Sequence, residues 1–250
     1  MDPASPFSFD LSYCGQPPVP GDLWSRWNFE PGLLAGLALA ACLGLFLSRR
    51  QPRGSRIAIA AAWLLAAALF VSPLCALTVS LFSARVGHHV LLTMVLAPIL
   101  ALALPAHWGH RLSLMPPLVI STIALWLWHS PDIYASAFAH PAIYWAMQLS
   151  LIGTFTWLWL GLFQSAYPLT AGVTALTSAI QMGMLGALLV FANQPLYVPH
   201  LATTLAFGLS PLDDQQLAGL IMWVPANLPL LALVLWRLVD ALGPRQEATE

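Results

Sequence analysis

The chain has 250 residues, of which 59% are hydrophobic and only 8% charged. Soluble domains carry about 25% charged residues, so this surface cannot face water all round and the composition points to a polytopic membrane protein solvated by lipid. A formal net charge of -1 without a basic tract gives nucleic-acid binding no electrostatic footprint.

The first thirty residues contain Asp2, Asp10 and Asp22, several prolines and no basic leader, so they do not read as a cleavable signal peptide. They read as a segment, 1–30, lying on one membrane face with Trp24 and Trp27 suited to the interface. Cys14, Cys42 and Cys75 form an odd, sparse set without C-x-x-C, which argues against a disulfide framework. Cys42 and Cys75 are expected to be small packing residues, and Cys14 to be exposed.

A membrane-crossing helix needs roughly 20 apolar residues. Seven stretches qualify: Pro31–Ser48, Ile57–Leu81 with a kink at Pro73, His88–Leu104, Leu112–Trp128 with an awkward start at Met115-Pro116-Pro117, Pro141–Phe163, Leu169–Phe191 and Gln216–Val239. The expected fold is therefore all-α, a seven-transmembrane-helix bundle over 31–240 with a cytoplasmic tail at 241–250. Basic residues accumulate on the cytoplasmic side. Arg49, Arg50, Arg53 and Arg56 crowd the first connection, and alternation puts Arg111, Arg237 and Arg245 on that side too. The N-terminus is then outside and the C-terminus inside.

This orientation gathers His88, His89, His129, His140 and His200, with Asp132, Asp213 and Asp214, at the outer face; His107 and His110 fall in an inner connection. His88 and His89 open the third helix but point about 100° apart, so they share a mouth rather than a stripe. Arg85, four residues before His89, shares its face. Hydrogen bonding at the headgroup level is the plain alternative for this pair. His129 ends the fourth helix behind Trp126 and Trp128, and Asp132 offers a carboxylate or a helix cap. His140, Tyr144 and Gln148 recur at i, i+4 and i+8, a polar stripe expected to face the bundle interior because lipid penalises it. Interhelical hydrogen bonding alone would also account for it. Thr177, Gln181, Gly183 and Gly186 make the sixth helix mainly structural, and His200 reads as a solvated loop residue. Asp213 and Asp214 suit the start of the seventh helix through its macrodipole, and Gln215, Gly219 and Met222 line one face.

No enzyme signature emerges, so no catalytic role is expected. What remains is imidazole, carboxylate and thiol at one face. Imidazole suits Cu, Zn, Fe and Ni, and soft Cys or Met donors tilt the choice toward Cu(I).

The ordered segments FSARVGHHVLL, WLWHSPDIYASAF, ANQPLY and SPLDDQQLAGLIMWVPA resemble the CtaG family of seven-helix cytochrome c oxidase assembly factors, and YCGQPPVPGDLWSRWNFEP is similar to the start of bacterial members. The resemblance implies a non-enzymatic factor of the bacterial cytoplasmic membrane that assists oxidase subunits and holds or passes copper at the periplasmic face, served by a periplasmic copper donor. It implies His89 and His129 as ligands with Asp214 as their partner, and the outer-face histidines His88 and His140 are further candidates that could substitute. Arg85, Tyr144 and Gln148 stand where the family pattern leads one to expect histidine. A metal-free scaffold for oxidase subunits and a haem-binding membrane protein with paired axial histidines are the alternatives.

Overall fold

The computed structural model describes residues 12–49, 51–105 and 113–242, which leaves His107, His110, Arg50, Arg111 and Arg245 outside the described residues. The described structure is helical, with no strand among the described residues. In chain order the α-helices are α1 (Pro31–Ser48), α2 (Arg53–Val71), α3 (Pro73–Ser80), α4 (Phe82–Leu91), α5 (Ala97–Ala103), α6 (Met115–Trp128), α7 (Pro131–Ala139), α8 (Pro141–Gln164), α9 (Pro168–Phe191), α10 (Pro211–Trp223) and α11 (Leu228–Leu242). A π-helical turn, Leu92–Leu96, joins α4 to α5. Among the described residues six segments are long and apolar enough to cross a membrane: α1, α2, Phe82–Ala103, α8, α9 and Pro211–Leu242. The remaining expected span, α6, is apolar but has only 14 residues.

Proline punctuates this chain. Pro31, Pro73, Pro131, Pro141, Pro168 and Pro211 each open a helix, where a missing N–H costs nothing and the fixed φ is already helical. Pro73 was expected to kink one long second helix. Instead Ser72 is extended (φ -71°, ψ 167°), its side chain accepts from the Leu74 N–H, and a separate α3 begins. The residue before proline is pushed out of the α region, so the chain stops and restarts. Pro131 likewise starts α7, a helix the apolar-run reading did not anticipate. The third span begins at Phe82, ahead of the expected His88, and the seventh at Pro211, broken at Val224 before a 3-10 turn, Pro225–Asn227.

Of α1's residues only Leu33 is buried, while Leu39 and Phe46 are 70% and 66% exposed. Such a helix is stable only where lipid is the solvent. The inner helices differ. α9 packs on α10 and α11, α4 on α10, and α8 on α5 and α6. The α9–α10 crossing depends on Gly186 and Gly219: a Cβ on Gly186 would lie 2.8 Å from the Gly219 carbonyl oxygen, and one on Gly219 2.6 Å from that of Gly186. Backbone-to-backbone contact of this kind requires small residues.

Two irregular segments close one end of the bundle. Ser80 Oγ donates to the Pro18 carbonyl at 2.8 Å, and Thr203 Oγ1 to the Ser80 carbonyl at 2.6 Å. The N-terminal segment is fastened further by a disulfide between Cys14 and Cys75. This corrects the expectation drawn from cysteine spacing. Both residues are largely buried, and Cys42 is the free, exposed cysteine. The pairing was hidden because its partners are 61 residues apart and meet only when the N-terminal segment folds back.

Candidate functional site

α4 starts where Leu81 leaves helical geometry (φ -120°, ψ 128°), and a carboxylate from another helix holds its exposed N–H groups. The Phe82 N–H donates to Asp214 Oδ2 at 2.6 Å, the Ser83 N–H to Oδ1 at 3.2 Å, and the Ser83 hydroxyl also donates to Oδ1. A buried anion at a helix N-terminus satisfies both the orphan donors and the macrodipole. Its neighbour Asp213 caps α10 itself, in a reciprocal box with Ser210. Two adjacent aspartates thus cap two different helices. Asp214, offered as a ligand partner, spends both oxygens locking α4 to α10.

That lock sets His89. Directly below it the helix widens into the π turn. There the Ala97 N–H reaches back five residues to the Leu92 carbonyl. The next bond in that register would come from residue 98, a proline without an N–H, so the Thr93 carbonyl is left over. Trp159 of α8 takes it, donating Nε1–H at 2.9 Å. Thr93 Oγ1 donates in turn to the His89 carbonyl at 2.8 Å. π turns occur frequently at functional sites.

His129 faces His89, ring centroids 6.0 Å apart and nearly perpendicular at 82°. It ends α6 and is held from both sides. Tyr197 Oη donates to its carbonyl at 2.8 Å, and its own Nδ1 lies 2.7 Å from the Leu125 carbonyl. A carbonyl only accepts, so Nδ1 carries the proton and Nε2 the lone pair. This backbone-oriented tautomer is the usual arrangement of a metal-ligating histidine. Neither ring nitrogen of His89 has a hydrogen-bond partner among the described residues, although the ring is buried. Between the two imidazoles lies a void of about 10 Å³, bordered also by Thr93, Met182 and Met222. That is about the least that admits one water-sized guest.

A second polar layer adjoins this one. Arg85 is 1% exposed, with its guanidinium 4.7 Å from the Phe138 ring and 5.4 Å from the Tyr144 ring, and Nε donates to the Thr78 carbonyl at 3.3 Å. Its Nη1 has no partner, and no carboxylate lies within ion-pair distance among the described residues. His88 turns toward α2, edge-on to Phe70 at 5.2 Å, its nitrogens lacking a partner of good geometry although the Leu69 backbone is near. Tyr144 and Gln148 are buried and face inward, and the Gln148 amide is likewise without a well-formed bond. Gln215 is buried too, accepting from the Leu196 N–H at 2.7 Å.

The expected residues therefore divide. His89 and His129 come together with Met222. His140 is exposed where α8 begins, and Asp132 is exposed in the first turn of α7. Among the described residues no three His, Cys, Asp or Glu side chains converge on a metal position, so the five-member ligand set is not assembled. The side chain bordering the void that sequence reasoning missed is Met182. It lies one residue from Gln181 on a helix that is apolar almost all round, where only packing distinguishes one face from another. His200, read as a solvated loop residue, is 2% exposed and bonds the Tyr134 hydroxyl through Nε2 at 2.7 Å. Burial holds its pKa down at about 3, so it is neutral.

The family described as cytochrome c oxidase caa3 assembly factor matches residues 41–242. The chain belongs to this family. It is thus a cytochrome c oxidase assembly factor with multi-pass membrane character and oxidase subunits as its partners. No curated protein and no solved structure matches it. Within this family member, the three positions where histidine was expected form part of one layer: Arg85 lies over Tyr144, and Gln148 follows one turn below.

Proposed function

We propose that this assembly factor carries Cu(I) as cargo, held between His89 and His129 with the thioethers of Met182 and Met222 as soft donors. The observation that carries the reading is the void those four side chains border, with an oriented lone pair on one side and an unpartnered imidazole on the other. Buried imidazole nitrogens without partners are costly unless something binds them. Thioether with imidazole favours Cu(I). A single positive charge is also tolerated better than a double one near the buried Arg85 guanidinium. Two neutral imidazoles and two neutral thioethers bind the ion without proton release and let it leave again.

The same reading includes seven spans, with α6 as the shortest at about 21 Å, and a bacterial cytoplasmic membrane with the N-terminus outside. Two independent features support the orientation. Arg49, Arg53 and Arg56 cluster at the α1–α2 connection. At the opposite end of α2, the Cys14–Cys75 disulfide belongs in an oxidising compartment. The copper then sits toward the periplasm, where a donor can reach it and an oxidase subunit can take it. Haem fits poorly, since the void between the histidines is far smaller than a porphyrin.

Anaerobic Cu(I) titration of the purified protein against a chromogenic chelator tests this. One equivalent is expected, lost in His89→Ala and in His129→Ala. Binding that persists unchanged in the double variant would refute the site. Oxidase assembly restored by that variant in a deletion strain would instead favour a metal-free scaffold.

A further inference from the structure

The disulfide lies at the edge of a cleft. Cys14 borders a surface cavity of about 370 Å³ together with Tyr13, Gln16, Arg26, Asn28 and Glu30. Cys75, on the far side of the bond, is 1% exposed. Beneath both sulfurs is the Tyr144 hydroxyl, 3.6 Å from Cys14 Sγ and 4.0 Å from Cys75 Sγ. The Tyr144 ring in turn carries the Arg85 guanidinium at 5.4 Å. Asn28 Nδ2 contacts Cys75 Sγ at 3.6 Å and donates to the Phe70 carbonyl at 3.3 Å. From Phe70 the contacts continue through His88 at 5.2 Å to His89 at a further 6.1 Å. A series of contacts thus runs from the cleft to the His89–His129 void, and the sulfur pair stands at its head.

We infer that Cys14 and Cys75, when reduced, form a two-thiolate receiving site for Cu(I), and that the disulfide is its closed state. The inference rests on the copper reading above for its cargo. A backbone that holds two cysteines 5.4 Å apart at Cα presents both sulfurs to one point whether or not they are bonded. Thiolate is the donor that most strongly selects Cu(I). The second observation is Arg85. It is a buried cation that has no carboxylate within ion-pair distance among the described residues, and it shares Tyr144 with the sulfurs. Two thiolates around Cu(I) carry a net charge of minus one, and that is the counter-charge Arg85 lacks.

Opening the site requires a dithiol reductant on the same side of the membrane. Its thiolate attacks Sγ of Cys14, which borders the cleft, and the S–S bond breaks with its electron pair leaving on Sγ of Cys75. The reductant's second thiolate then attacks its own sulfur in the mixed disulfide and releases Cys14. Two electrons enter the chain and the reductant departs as a disulfide. Cu(I) binds the two sulfurs without change of oxidation state, and any thiol proton goes to water.

The test uses the full chain in detergent with Cys42→Ala, which removes the remaining cysteine. Protein is reduced with a phosphine, desalted anaerobically, and titrated with Cu(I) against a chelator, with the oxidised form in parallel. Stoichiometry is expected to rise from one to two equivalents on reduction. The added equivalent should bring a near-ultraviolet thiolate-to-copper band and vanish in Cys14→Ser. The His89→Ala, His129→Ala double variant should keep the thiolate equivalent and lose the other. Thiolate binding without any copper in the oxidised form would remove the deep site and leave this inference standing. A reduced protein with two titratable thiols, unchanged helical circular dichroism and no added copper would overturn it. So would a disulfide that resists reduction until the protein unfolds, or helicity that collapses once it is reduced, since either marks a staple only.

Discussion

The two ends of the bundle each bury an arginine, and they treat it differently. Arg237, on α11, donates to the Phe163 carbonyl at 2.7 Å and to that of Leu162, at the end of α8, and has Asp240 3.7 Å away. A cation on the last carbonyls of a helix is a structural solution. Arg85, at the disulfide end, has a long bond to a carbonyl, two aromatic faces, the Tyr134 hydroxyl nearby and no carboxylate within ion-pair distance among the described residues. Unpartnered nitrogens of His88, His89 and Gln148 share its neighbourhood. Native cores keep few unsatisfied polar groups. More of them gather at the disulfide end than around Arg237, where Nε and, at the end of α8, Gln164 Oε1 are also without a partner among the described residues.

Several substitutions probe that contrast. The largest effect belongs to Asp214→Ala, which leaves two buried N–H groups and a hydroxyl unpaired at the start of α4. A loss of about 3–5 kcal/mol is expected, visible as a lower midpoint in detergent unfolding, with Asp214→Asn intermediate. His89→Ala should weaken Cu(I) binding more than about 100-fold in chelator competition while costing little stability. Arg237→Met should destabilise by about 2 kcal/mol by orphaning helix-terminal carbonyls. Arg85→Met should be neutral or stabilising because it removes a poorly compensated buried charge. Equal destabilisation by the two would erase the distinction between the ends.

Acid titration gives a subtler measure. The His200 pKa lies at about 3 against an ordinary 6.5, so the unfolded chain takes up the proton first. Stability from this site is full above pH 6.5 and falls as pH drops toward 3. His200→Phe should flatten that slope in acid unfolding curves and leave the midpoint at pH 8 little changed. Smallest of all, His140→Ala and Asp132→Ala, both exposed, should shift neither stability nor copper stoichiometry beyond about 0.5 kcal/mol.

Much of the scaffold was legible because lipid demands long apolar runs. Helix ends at Pro31, Pro141 and Phe191 fall where composition puts them. Phasing was harder. Pro73 and Pro131 each begin a helix where the reading saw a kink or an end, since a single proline permits either and the residue before it decides. In the site, His89, His129 and Met222 were readable as polar or soft groups on apolar helices. Met182 was not, because a methionine among apolar residues looks like packing until its neighbours are known. The Asp214 cap and the Cys14–Cys75 bond join residues that are 132 and 61 positions apart, respectively, from their partners, and no local pattern announces such pairs.

The π turn at Leu92–Leu96 has a bearing on this that goes beyond local hydrogen bonding. One residue more than a regular helix needs is accommodated there, and each residue of an α-helix advances about 100° round the axis. With the turn ironed out by a single deletion, everything above it would rotate by that amount, and His89 would swing off the His129 side of the bundle. The imidazole is therefore aimed by a phase shift in the backbone, and Pro98 with Trp159 keeps that shift from relaxing.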